Sequence, residues 1–164
     1  METGLTYTSE MTVGQQHLAE NAGSGDLPVL ATPAMIALME NAAMNAAAQQ
    51  LADNESTVGS MINATHIRPT TEGCRVKATA TLTAAEGRKL TFNIVAEDEK
   101  GKIGEATHER FVIDRQRFMS GGIIRGFIFL ISSKNTEQDF LDTYIQSMKG
   151  SKSIIVIDEP VYNT

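Results

Sequence analysis

Between Ala34 and Leu51 the chain has neither glycine nor proline and is built mainly of alanine, methionine and other good helix formers. Thr32 followed by Pro33 marks a helix start, with the threonine as N-cap and the proline at the first helical position. Asp53 and Asn54 suit the stop. Through Ala47 this helix is apolar on nearly every side, which requires burial in a protein or a membrane. The polar Glu40, Asn41 and Asn45 favour a protein interior. The small Ala42, Ala43, Ala46 and Ala47 permit close approach of a sheet or a second helix.

Around the helix the apolar period changes to two. Residues 5–12 predict a strand, 22–30 a turn-rich loop, and 57–67 a further strand. Residues 74–84 place Val76, Ala78, Ala80 and Leu82 on one side, and residues 88–97 do the same with Leu90, Phe92 and Ile94. Residues 102–113 predict the last strand of this unit. The order is strand, long helix, then four strands in a meander, an α+β architecture in which one helix lies against an antiparallel sheet. The domain is expected over residues 1–119, with 120–164 an atypical C-terminal extension. In that extension 123–131 predict a strand, 136–149 an amphipathic helix and 153–157 another strand.

Length and charge narrow the function. A chain of 164 residues holds one domain with a real core. The net charge is -6 and no basic block stands out, which argues against nucleic-acid binding but leaves room for a small basic pocket. The one cysteine, Cys74, excludes an internal disulfide and fits a reducing cytoplasm. The first residues, METGLTYTSE, lack the pattern of a signal peptide. The most apolar stretch, Ile123 to Ile131, is interrupted by Arg125 and Gly126 and falls far short of the ~20 residues that span a bilayer, so no transmembrane helix is expected.

Three residues are candidates for chemistry. Glu40 sits mid-helix with Ile36, Ala37, Ala43 and Met44 at the neighbouring helical positions, where a carboxylate is costly unless paired. It belongs either to a functional site or to a satisfied structural pair. His66 closes a strand of small and apolar residues and is either a general acid/base or a structural histidine. Thr32 is fully accounted for by capping. In the last strand, alternation puts Ala106, His108, Arg110 and Val112 on one face. Arg110 could grip a carboxylate or phosphate oxygen, or be a solvated arginine paired with a nearby glutamate. Gly59 either admits close approach of a ligand to the backbone or forms a bulge. No metal-ligand spacing, phosphate loop, dinucleotide fingerprint or Gly-x-Ser-x-Gly elbow is present, so no metal or cofactor is expected.

The runs ATPAMIALMENAAMNAA (31–47), STVGSMINATHIRPT (56–70) and GKIGEATHERFVIDRQRF (101–118) resemble the hotdog-fold thioesterases of the fluoroacetyl-CoA thioesterase type. The resemblance covers about residues 5 to 118. It implies a hotdog fold, a long helix wrapped by an antiparallel sheet, in a homodimer with sites at the subunit interface. It also implies hydrolysis of a short-chain acyl-CoA, with Thr32, Glu40 and His66 catalytic and with Gly59 and Arg110 near the acyl group. The fluoroacetyl-selective member has phenylalanines in the segment before its catalytic threonine, whereas this chain has no Phe, Tyr or Trp between Tyr7 and Phe92. Two rival readings keep the cleft: a non-catalytic acyl-CoA binding module and a hotdog dehydratase or hydratase. A third is a purely structural dimer. Thr32 and Glu40 are eight residues apart, so about 12 Å along one helix axis. Either His66 bridges them, or a twofold-related chain supplies one of them.

Overall fold

The computed structural model describes residues 1–122. Strand β1 (Thr6–Thr12) leads through a 3-10 turn (Gln15–His17) and a single helical turn α1 (Ala19–Ala22) to the long helix α2 (Thr32–Ala48). Strands β2 (Glu55–His66), β3 (Arg75–Glu86), β4 (Lys89–Asp98) and β5 (Gly101–Asp114) follow, then α3 (Arg115–Gly122). The five strands form one sheet in the order β1-β3-β4-β5-β2, and every pairing is antiparallel.

The period-two pattern sets the core. Val76, Ala78, Ala80 and Leu82 of β3 and Leu90, Phe92 and Ile94 of β4 are buried, all on the face that α2 covers. From α2 come Met35, Leu38, Met39, Ala42, Ala43, Ala46 and Ala47. Each large side chain removed from water in this way contributes about 1.5–3 kcal/mol. The alanines hold the helix close to the sheet. The opposite side of α2 is not covered by the described residues: Met44 and Ala37 are exposed and Ile36 is half-buried. The all-round apolar character expected of the helix is therefore met on one face by the sheet, and a second apolar stripe stays open.

Three expectations are corrected. Helix α2 begins at Thr32 with Ala31 as N-cap, and no side chain caps it, so Thr32 does not serve as N-cap. The helix ends at Ala48 rather than Leu51. The last four strands do not form a simple meander: β3, β4 and β5 do, but β2 pairs with β5 at the far edge and β1 takes the place beside β3. Residues 67–74 carry the chain from β2 past two strands, about 14 Å at the usual strand spacing. The loop expected over 22–30 is anchored by bridges Leu18↔Leu30 and Val29↔Thr71. The strands expected at 123–131 and 153–157 and the helix at 136–149 lie outside the described residues. No helix among the described residues is long and apolar enough to cross a membrane.

Candidate active site

Freed from capping, the Thr32 hydroxyl lies at the first turn of α2 with its Oγ1 2.9 Å from His66 Nδ1. The end of β2 is pinned just beyond that histidine. Ile67 N–H donates to the Ile103 carbonyl at 2.8 Å, and Arg68 Nη2 donates to the Asp98 carboxylate and, at 2.8 Å, to the Gly101 carbonyl. Thr70 Oγ1 donates to Asp98 Oδ2 at 3.0 Å, while Thr70's carbonyl accepts from Leu30 N–H at 2.8 Å. Both the helix start and the strand end are thus tied to one frame. Thr32 and His66 line a cavity of about 290 Å³ with Ser24, Val29, Leu30 and Arg68.

His66 Nε2 is buried and has no hydrogen-bond partner among the described residues. Burial lowers the pKa of this imidazole, opposed by the Arg68 backbone, and so favours the neutral ring. A threonine O–H donating to Nδ1 requires the ring proton on Nε2.

A second cluster sits two turns further along α2. Glu40 lies on the border between the buried face of the helix and its open stripe, with its side chain 43% exposed. Its Oε1 is 3.8 Å from His108 Nε2. Across the sheet, Gly59 is paired directly with Arg110, and the register slips between Gly59 and Met61 as a bulge. A Cβ on Gly59 would stand 3.0 Å from Glu40 Oε1, 3.1 Å from His108 Cε1 and 3.6 Å from Arg110 Nη1. Glycine is needed there because a carboxylate, an imidazole and a guanidinium converge on its backbone.

Arg110 is 6% exposed, which removes the reading of a solvated arginine. Its Nε donates to Thr57 Oγ1 at 2.8 Å, Nη2 to the Thr57 carbonyl at 3.0 Å, and Nη1 to His108 Nε2 at 3.1 Å. Burial disfavours the cation, and the negative charge of Glu40 offsets part of that.

The structure therefore brings Thr32 to His66, and Glu40 to Gly59 and Arg110. It does not bring Glu40 to His66 within one chain, so the bridging role expected of His66 is not met there: His66 closes β2 beside the start of α2, and Glu40 lies beyond its reach. Sequence reading passed over His108 and Thr57. The alternation that put His108 on Arg110's face was the available signal for the first. Among the described residues no group of three His, Cys, Asp or Glu side chains could hold a metal ion.

The sequence profile of the fluoroacetyl-CoA-specific thioesterases matches residues 13–116. Fluoroacetyl-CoA thioesterase from Streptantibioticus cattleyicolor is 41% identical over 124 residues, 72% of this chain and 89% of the relative. A variant of a fluoroacetyl-CoA-specific thioesterase, crystallised with fluoroacetate and CoA, superposes with a TM-score of 0.66 at 33% identity, covering 72% of this chain and 99% of that one. A hot-dog-like protein from Thermanaerovibrio acidaminovorans shares the fold at a TM-score of 0.67, with 19% identity over 73% of this chain and 89% of its own. The chain belongs to the fluoroacetyl-CoA-specific thioesterase family and is a hotdog-fold thioester hydrolase.

Proposed function

We propose that this enzyme hydrolyses a short-chain acyl-CoA to the free acid and CoA, with Thr32, His66 and Glu40 as its catalytic groups. The observation that carries this reading is the 2.9 Å contact between Thr32 Oγ1 and His66 Nδ1 on the wall of a cavity. In the proposed reaction the neutral imidazole takes the threonine proton, and Oγ1 attacks the thioester carbonyl. The C–S bond breaks, and the CoA thiolate leaves with the proton carried by His66. Water, activated by the same histidine, then cleaves the Thr32 ester. The positive end of α2 favours the oxyanion that forms at each step.

Glu40 accepts the His66 Nε2–H and stabilises the imidazolium, but it does so as Glu40 of the partner subunit in a homodimer. Two features support the dimer. Among the described residues strand β2 is a long edge strand with one side unpaired, a ready template for a second β2. The open stripe of α2, with Ile36, Ala37 and Met44 around Glu40, is apolar surface in need of cover. Gly59 and Arg110 take the acyl end of the substrate in the second cluster. That a relative was crystallised with CoA and fluoroacetate supports a CoA thioester of a small acid as the substrate class.

Free-thiol release from acetyl-CoA and propionyl-CoA tests the reading. We expect turnover by the native chain, and a loss of about 100-fold or more in kcat in His66→Ala and Thr32→Ala, with the fold retained. Thr32→Ser should keep much of the rate. Binding of both thioesters without thiol release would replace hydrolysis with the binding-module reading. Full activity in Thr32→Ala would remove the threonine as nucleophile.

A further inference from the structure

His108 is fully buried, yet the mechanism above gives it no task. Its hydrogen bonds fix its chemical state. The Met61 carbonyl, 2.7 Å from Nδ1, can only accept, so Nδ1 carries the proton. The Arg110 guanidinium, 3.1 Å from Nε2, can only donate, so Nε2 carries a lone pair. Both contacts require the neutral Nδ1–H tautomer. A protonated ring would turn an N–H toward the guanidinium.

Arg110 has five N–H groups, and its side-chain hydrogen bonds to Thr57 Oγ1, the Thr57 carbonyl and His108 Nε2 use three. The remaining two are one on Nη1 and one on Nη2. The first belongs to the atom that borders the space over Gly59, next to the Glu40 carboxylate. Thr57 holds the Nε–Nη2 edge of the planar guanidinium, and His108 supplies the acceptor on Nη1, so each of the three nitrogens has a partner. A carboxylate in that place would fix the group but cancel its charge. A neutral imidazole fixes it and adds no negative charge to that of Glu40 already beside it.

We propose that His108 is a positioning residue: as a neutral acceptor on Nη1 it completes, with Thr57, the hold on the Arg110 guanidinium in the orientation that meets the electron-rich end of the acyl group. This rests on the assignment of Arg110 to the acyl end, and the experiment separates the two.

His108→Asn places an amide N–H near Nδ1, keeps the bond to the Met61 carbonyl, and falls short of Arg110. His108→Gln reaches the position of Nε2 with a carbonyl oxygen that accepts from Arg110. With acetyl-CoA we expect kcat/KM to fall about 10- to 100-fold in His108→Asn and to recover to within about threefold in His108→Gln. Inhibition by free CoA, which lacks the acyl group, should be the same in both variants and the native enzyme. A merely structural histidine gives the opposite ranking, with the asparagine variant at or above the glutamine variant, and that result overturns the proposal. Native turnover in Arg110→Met would instead overturn the assignment of Arg110, with His108 left intact. Should the variants fail to fold, nitrogen NMR of the native protein decides. The Nδ1–H tautomer at neutral pH is expected for His108, and an Nε2–H or doubly protonated ring excludes the acceptor role.

Discussion

Gly59 carries more of the second cluster than its size suggests. A methyl group there would press on Glu40 Oε1 at 3.0 Å and on His108 Cε1 at 3.1 Å. The glutamate tip ends a flexible, partly exposed side chain and can swing away, and the buried His108 ring has to give by only a few tenths of an ångström, so the stability cost is at the low end of overpacking, about 1 kcal/mol. What it cannot do is swing away and stay in place for catalysis. Gly59→Ala is therefore expected to lower kcat/KM at least about 10-fold while moving the melting temperature by only a few degrees, read by thiol release and calorimetry on one sample. An alanine variant with native activity would show that the carboxylate's position over the β2 backbone is immaterial. His108 makes a second prediction at this scale. Burial lowers its pKa, opposed by the Met61 carbonyl, reinforced by Arg110 on its own strand, and opposed again by Glu40 on α2 and by Glu109. The folded pKa thus lies below the unfolded value near 6.5. Below about pH 6.5 the unfolded chain binds the proton more readily than the folded one, so stability is intact above that pH and declines as pH falls. Urea unfolding between pH 7.5 and 5 should show this decline, and His108→Gln should flatten it. An equal slope in both proteins would locate the acid sensitivity elsewhere.

At the scale of elements, the two strands that carry the site are joined at a second glycine of the opposite kind. Gly104 faces His66 across the β2–β5 ladder, and a Cβ there would stand 2.3 Å from the Thr65 carbonyl and 2.9 Å from the Met35 thioether. The methionine can repack, but the carbonyl is main chain and moves only if the strands part. Gly104→Ala is expected to cost about 1–3 kcal/mol, and to lower the urea midpoint where Gly59→Ala barely does. A midpoint within experimental error of native would mean that the ladder yields more easily than two fully paired strands should. The same ladder marks the boundary of what the sequence discloses. Strand faces were readable, since Val76, Ala78, Ala80, Leu82, Leu90, Phe92 and Ile94 all bury as their alternation requires. Neighbours in the sheet were not: a period of two tells which side chains face inward but not which strand lies alongside, so the placement of β2 beside β5 was missed. Thr32 was misread for a related reason. Threonine before proline is a strong local capping signal, and here a tertiary contact with His66 claims the hydroxyl while Ala31 takes the cap position. His108 could be placed on Arg110's face, but its bond to the Met61 carbonyl depends on the bulge at residue 60, which nothing in the local pattern announces.

The whole molecule poses the question that its single chain leaves open. Helix α2 separates its own Thr32 and Glu40 by about 12 Å, the rise of eight residues, and a helix cannot fold back to close that gap. Among the described residues His66 Nε2 is buried with no hydrogen-bond partner, and Glu40 stands half-exposed on an apolar stripe. In the proposed homodimer, a twofold axis relating two copies through β2 and the open side of α2 would set each glutamate beside the other chain's histidine. Mixing subunits tests this without any structure of the assembly. Take His66→Ala and Glu40→Gln, each expected to be inactive alone. In a shared-site dimer, a mixed pair collects both changes in one site and leaves the other site fully native. Random exchange makes about half the dimers mixed, and each has one working site of two, so about a quarter of native activity should return. If each chain holds its own complete site, every site in the mixture carries one lesion and nothing returns. Recovery should also vanish under dilution to the point where the dimer dissociates, which sedimentation can follow on the same samples. Activity that persists in a demonstrated monomer would place Glu40 outside the triad and leave His66 to work with Thr32 alone.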